Sequence, residues 1–308
     1  HNRTLNFIIL MESLLRAARA IQYRYDTSAL DGTTGEAGMS NVQGENVMQF
    51  DLIAHQIVMH YLAESGQVME ATSEEVSDEI RLNPDGRYLV YFDPLDGSSN
   101  IKHSLPVGFL FGIAKRNLEG PEDYRLRPGK DFIAAGLFMI PTGIFTFALK
   151  NAGAWRFLLD KTGDFIRPTR IQFPNKKDTW ELSWNSVNRH AFNPKVQSWL
   201  DANEKQYNFR YSGSLAVDFH RLLHNGGAFM YPAITNHVDP KKNRPNGKLR
   251  LMYESSVVSF IAQQAGGLAI GEDGHDILET QPRHRHQRSS LYVGNSELIE
   301  SIRKVLKS

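Results

Sequence analysis

Asp93-Pro94-Leu95-Asp96-Gly97-Ser98-Ser99-Asn100, preceded by the apolar run Tyr88-Leu89-Val90-Tyr91-Phe92, decides how this chain is read. A short aromatic and β-branched run bounded by turn residues predicts a buried strand. Pro94 cannot donate to a sheet ladder, so the strand is expected to end after Asp93 and a turn to begin. That turn carries two carboxylates, Asp93 and Asp96, followed by the backbone N–H groups and hydroxyls of Gly97-Ser98-Ser99, which suit an anion. A helix after them would add its positive end. Acids for a divalent cation beside donors for a phosphate are the equipment of a metal-dependent phosphatase.

Around this segment the chain alternates helices and strands. Leu14, Ala17, Ala18 and Ile21 recur at helical spacing with Arg16, Arg19 and Arg24 interleaved, which predicts a first amphipathic helix. Residues 27–44, rich in Gly, Ser, Thr and Asp, read as a mobile loop. A second helix is expected from Val47, with Phe50, Ile53, Ala54, Ile57 and Val58 on one face and Asp51 near its start. Further strands are expected at 109–114, 134–140, 144–149, 154–159 and 180–184. The second half predicts helices at 194–203, from Gly213-Ser214 to Asn225, after residue 251 and from Ser296. Short strands lie between them at 208–211, 228–231, 249–251 and 290–293, and residues 233–247 form a polar, basic loop. Mixed elements in both halves imply a layered α/β architecture of two closely packed domains, divided near residue 172.

Composition narrows the function. The 308 residues carry 35 basic and 34 acidic side chains, a net charge near +1. That balance leaves no electrostatic footprint for nucleic acid or an anionic membrane. No apolar stretch reaches the roughly 18 residues of a membrane span. Cysteine is absent, which excludes a thiol nucleophile, a cysteine-based metal site and control through a disulfide. A cytoplasmic protein is expected.

Other acids are candidates for the same site: Glu74-Glu75, Glu45 and Asp51 around the second helix, and Glu254. Each alone has an ordinary explanation, since paired surface acids are usually solvated and Asp commonly forms turns. His284-Arg285-His286 reads as a polar loop rather than a metal site, and residues 32–44 lack the Gly-Lys-Ser/Thr of a nucleotide loop.

The acids gain meaning together. Glu74-Glu75 followed by Asp93-Pro94-Leu95-Asp96-Gly97-Ser98-Ser99-Asn100-Ile101 resembles the lithium-sensitive sugar and inositol phosphatase superfamily. Arg210-Tyr211-Ser212-Gly213-Ser214-Leu215-Ala216-Val217-Asp218 and Asn246-Gly247-Lys248-Leu249-Arg250-Leu251-Met252-Tyr253-Glu254 narrow the resemblance to the fructose-1,6-bisphosphatase family. Ala265-Gly266-Gly267 and His286-Gln287-Arg288 are also similar to that family, so the likeness covers nearly the whole chain.

The resemblance implies an α/β/α/β/α sandwich of the sugar phosphatase type. Residues 1–172 would bear the metal motif, and residues 173–308 would bind the sugar phosphate. It implies Glu74, Asp93, Asp96, Glu254 and the Leu95 carbonyl as ligands for two or three Mg²⁺ ions, or Mn²⁺. Clustered carboxylates stay ionised only when cations compensate them, and all-oxygen ligation suits those ions. Asp51 and Glu75 match the pair that activates water, and Glu45 stands where the family usually has Asp on a closing loop. Asp96, Gly97, Ser98, Ser99, Lys248 and Arg250 match groups around the phosphate that is removed. Asn185, Arg210 from a neighbouring subunit, Tyr211, Tyr231 and Lys248 match those holding the remote phosphate. Asn188 stands where some relatives have Tyr, and Leu215 and Asp218 are implied at the sugar. The implied activity is hydrolysis of fructose 1,6-bisphosphate in gluconeogenesis or Calvin-cycle-type metabolism, by a homotetramer. Sedoheptulose 1,7-bisphosphate and inositol phosphates are the alternative substrates. An AMP site at Thr4, Arg87 and Tyr88 is a further expectation, weakened by Asn6 and Ile8 in place of polar or acidic residues.

Overall fold

The computed structural model describes residues 2–28, 30–33, 35–40, 46–116 and 125–308. In its N-terminal part, helix α1 (Asn2–Thr27) precedes the ribbon β1 (Glu36–Ser40) and β2 (Asn46–Met48), then helix α2 (Gln49–Ser65). Strands β3 (Val68–Ser73), β4 (Ile80–Arg81), β5 (Tyr88–Asp96), β6 (Val107–Lys115) and β7 (Phe132–Ile140) come next. Then come β8 (Ile144–Leu149), β9 (Gly153–Leu159) and β10 (Phe165–Ile171). These build a sheet ordered β10-β9-β8-β7-β6-β5-β3-β4, antiparallel throughout except where β3 runs parallel to β5.

The C-terminal part runs β11 (Glu181–Ser183), α3 (Pro194–Asn203), β12 (Asn208–Phe209), α4 (Leu215–Asn225) and β13 (Gly227–Tyr231). It continues through β14 (Leu249–Arg250), a π-turn Leu251–Ser255, α5 (Ser256–Gln264), β15 (Gly267–Ile270), β16 (Arg288–Ser289), β17 (Leu291–Asn295) and α6 (Ser296–Lys307). Its sheet is ordered β12-β11-β13-β17-β15, with β14 and β16 forming a separate pair.

Side-chain alternation along the strands sorts these elements into layers. Val90 and Phe92 of β5, with Phe109 and Phe111 of β6, pack against Leu14 and Ile21 of α1 and Phe50, Ala54 and Val58 of α2. Leu89, Tyr91 and Leu110 point the other way, onto Phe219 and Leu222 of α4 and Val257, Phe260 and Ile261 of α5. The same two helices cover Phe229 and Val293 of the smaller sheet. Its opposite face, through Ala228, Met230 and Tyr292, meets Trp199 and Leu200 of α3 and Ile299 and Ile302 of α6. The result is helix, sheet, helix, sheet, helix: the expected five-layer sandwich.

Local expectations fared unevenly. Strand β8 runs over the anticipated residues, whereas β3 and β10 lie where no strand was expected. Strand β1 lies within the segment read as loop, β2 takes the expected start of the second helix, and α2 begins at Gln49 rather than Val47. Pro94 does not end the strand. β5 continues to Asp96 because the register slips from Asp93↔Leu110 to Asp96↔Gly108, a bulge. A bulged residue owes no ladder N–H, so proline fits there. After Gly97 the chain makes a six-residue 3₁₀ turn, Ser98–His103, rather than a helix with a strong positive end.

Candidate active site

The parallel β3–β5 pairing brings the first acids together. Ser73 lies opposite Phe92, and the Glu74 N–H donates to the Phe92 carbonyl, so Glu74 leaves β3 beside Asp93. A third acid arrives from the other domain, where the π-turn presents Glu254. π-turns within helices recur at functional sites because the inserted residue re-aims a side chain. Oxygens of Asp93, Asp96 and Glu254 lie within 4.8 Å of one another, and all three residues are buried. Glu74 hydrogen-bonds Asp93 and is held 2.8 Å from the Arg250 guanidinium.

This cluster is electrostatically strained. Burial, then the charges of Glu74, Asp96 and Glu254, push the Asp93 carboxyl well above the usual carboxylate range. Glu254 is raised by burial and by Glu74, against the pull of Arg250. Burial raises Asp96 to about 6, although Ser214 and the Ala216 N–H oppose it by bonding its charged form. Such a group of buried oxygens, short of positive charge, fits a hard divalent cation.

Each acid is also mechanically fixed. Asp93 accepts from the Leu95 N–H at 2.9 Å, and Asp96 accepts from the Ser214 hydroxyl and, at 2.7 Å, from the Ala216 N–H. Ser214 is the N-cap of α4, its oxygen accepting from the Val217 N–H at 3.2 Å. One hydroxyl thus joins the Asp96 strand to a helix cap 118 residues later. Gly97 makes that approach possible. Its φ is +80°, and a Cβ there would stand 2.4 Å from Ser214 Cβ. Asp218, fully buried, accepts from the Ser212 N–H and pairs with Arg221 at 2.8 Å. It shapes the 212–214 turn.

Above the acids opens a cavity of about 440 Å³. Of the expected residues, Asp51, Glu74, Glu75, Asp93, Leu95, Asp96, Gly97, Ser98, Ser99, Tyr211, Leu215, Tyr231, Lys248, Arg250 and Glu254 line it. Asp51 belongs to the first turn of α2, near the helix start as expected. Tyr211 and Tyr231 hydrogen-bond each other, and burial raises the Tyr211 phenol. Lys248 is exposed at the rim, whereas Arg250 is buried against Glu74.

Some expected residues stand apart. Asn185 caps the 3₁₀ turn Ser186–Ala191 and Arg210 is exposed, and neither lines the cavity. Glu45 lies outside the described residues. Thr4 of α1 and Arg87, at the end of β5 remote from the acids, are exposed, and Phe7 of α1 packs edge-on against Tyr88. Conversely, Gly213, Phe229, Arg244 and Leu249 line the cavity without having been expected there. Arg244 is brought in by the 233–247 loop, whose ends join through the Ile234↔Arg244 bridge. In sequence it sits within Lys241-Lys242-Asn243-Arg244, which is indistinguishable from a solvated basic run. Arg285, expected in a free polar loop, instead pairs with Glu70 and Glu79.

Known proteins share this arrangement over nearly the entire chain. Residues 1–170 match the model for the N-terminal domain of fructose-1,6-bisphosphatase, and residues 175–307 match that for its C-terminal domain. A class 1 fructose-1,6-bisphosphatase of Syntrophus aciditrophicus is 56% identical, with 100% of this chain and 94% of the relative aligned. Fructose-1,6-bisphosphatase 1 of Mus musculus is 33% identical over 97% of this chain and 89% of its own length. The crystal structure of Leishmania major fructose-1,6-bisphosphatase in holo form superposes with a TM-score of 0.88, at 30% identity, over 98% of this chain and 94% of that one. The chain belongs to the fructose-1,6-bisphosphatase family.

Proposed function

We propose that the chain hydrolyses fructose 1,6-bisphosphate to fructose 6-phosphate and phosphate, using Mg²⁺ or Mn²⁺ held by Glu74, Asp93, Asp96, Glu254 and the Leu95 carbonyl. The observation that carries this reading is the buried triad of Asp93, Asp96 and Glu254 at the floor of a donor-rich cavity. Its relatives' names supply the substrate.

A divalent cation held by those residues would supply positive charge to the phosphate and its leaving oxygen. The chain does the rest. Gly97, Ser98 and Ser99 offer N–H groups and hydroxyls to the phosphate that is removed, and Lys248 adds charge from the rim. Asp51 and Glu75, both facing the cavity, take the proton of the attacking water. Arg250 holds Glu74 in place. Tyr211, Tyr231 and Arg244 form the wall suited to the remote phosphate, and Leu215 lies against the sugar. Arg210, exposed and outside its own cavity, serves a neighbouring subunit of a tetramer. AMP binding would use Thr4, Arg87 and Tyr88, and an AMP titration at fixed substrate tests it.

Phosphate release from fructose 1,6-bisphosphate, sedoheptulose 1,7-bisphosphate and inositol 1-phosphate, with and without Mg²⁺, tests the main assignment. The expected result is Mg²⁺-dependent release with the first substrate preferred. Equal turnover of inositol 1-phosphate would refute the need for a second phosphate site.

A further inference from the structure

The polar segment His284-Arg285-His286 lies between two acidic arms of the cation nest. The Tyr253 hydroxyl donates to His286 Nδ1 at 2.9 Å, and His286 Nε2 donates to the Ser77 carbonyl at 3.4 Å. Tyr253 precedes Glu254 in the π-turn, and Ser77 lies two residues after Glu75. One imidazole therefore touches the backbone of one arm and the buried phenol of the other. Next to it, Arg285 bonds Glu70 at 3.1 Å and Glu79 at 2.7 Å, so it grips the Glu74-Glu75 turn from both flanks. Arg125 closes the same ring, 3.2 Å from Glu70 and 2.7 Å from Glu79. The segment is itself anchored. The Gln287 carbonyl accepts from the Leu251 N–H at 2.7 Å, and Arg288 stands opposite Arg250 in the β14–β16 ladder.

We propose that His286 is a positioning residue, seated by Arg285, which sets the separation between the Glu254 arm and the Glu74-Glu75 arm of the cation nest. It touches neither cation nor substrate. Its effect passes through Tyr253 on one side and the Ser77 carbonyl on the other. The proposal rests on the reading of the cavity as a divalent-cation site. Partners that orient metal ligands typically change affinity tenfold or more when removed.

The test is Mn²⁺ binding to the full chain, followed by the electron paramagnetic resonance signal of free Mn²⁺. Parent, His286→Phe, Tyr253→Phe and the double variant are compared. Each single change should raise the Mn²⁺ dissociation constant about tenfold. The double variant should be no weaker than His286→Phe alone, because that change already removes the bond Tyr253 makes. KM for fructose 1,6-bisphosphate at saturating Mn²⁺ and the metal-free melting midpoint should stay at parent values, which a merely structural role would not allow. Should His286→Phe fail to fold, Tyr253→Phe, which removes one oxygen, decides alone. Parent-like Mn²⁺ binding in the variants, or multiplicative losses in the double, overturns the clamp and leaves the cavity reading intact. A parent that binds no Mn²⁺ overturns both.

Discussion

At the scale of single residues, the nest is built against its own stability. Asp93 is buried among three other acids that raise its carboxyl, so in the absence of cations its charge is a liability. Asp93→Asn should therefore keep or raise the melting midpoint in chelator at pH 8, while turnover falls on the order of a hundredfold or more. A thermal melt paired with a phosphate-release assay checks this, and a large loss of midpoint would mean that the charge is structural. Asp93 and Asp96 were legible as a candidate pair from their place in the turn, and Glu74 and Glu254 joined them only through the resemblance of their motifs to the family. Arg244 and His286 were not. A cation in a basic loop and an imidazole in a polar turn acquire meaning only from what the fold sets beside them.

Secondary-structure elements explain why the acids meet. Nothing in the sequence announces that β3 pairs parallel to β5, yet that pairing puts Glu74 beside Asp93. The strand β3 itself escaped prediction because Val68-Met69-Glu70-Ala71-Thr72-Ser73 has little β-branched content and a buried Glu70 answered by the distant Arg125 and Arg285. Pro94 was misread for a related reason: a bulge forgives what a regular ladder forbids. Where β5 meets α4, Gly97→Ala should cost about 1–3 kcal/mol of stability, because the added methyl drives into Ser214 and the residue sits at positive φ. Turnover should fall with it, since Ser214 orients Asp96; denaturant unfolding and initial rates measure the two effects. Helix α4 also carries His220, which burial, helped by His224 and Arg156, lowers from 6.5 to about 4. The folded state therefore binds fewer protons than the unfolded state between those values. Its contribution is complete above pH 6.5 and is lost as pH falls toward 4, a difference of up to about 3 kcal/mol. His220→Gln, which cannot take up that proton, should lose less melting midpoint between pH 7 and 4.5 than the parent does. Parallel losses would assign acid sensitivity elsewhere.

For the molecule as a whole, five layers place the nest where two domains share helices α4 and α5. The alternation of apolar and polar residues foretold layered α/β packing, and the family motifs foretold its order. Which surfaces join subunits is not written in that alternation, and Arg210 shows why. It belongs to a block matching the substrate site, yet lies outside its own cavity. If a neighbour receives it, light scattering should report a tetramer. Arg210→Ala should then raise KM for fructose 1,6-bisphosphate about tenfold with kcat little changed, the loss expected of one charge-assisted phosphate contact. An unchanged KM would place Arg210 outside every site.

The account turns on cations gathering at Asp93, Asp96 and Glu254, and a crystal soaked in Mn²⁺ with fructose 6-phosphate and phosphate examines that most directly. Anomalous scattering should locate Mn²⁺ roughly 2.0–2.2 Å from oxygens of those three residues, with phosphate bridging toward Ser98 and Lys248. Mn²⁺ bound elsewhere, or phosphate seated with the three carboxylates untouched by metal, would contradict it.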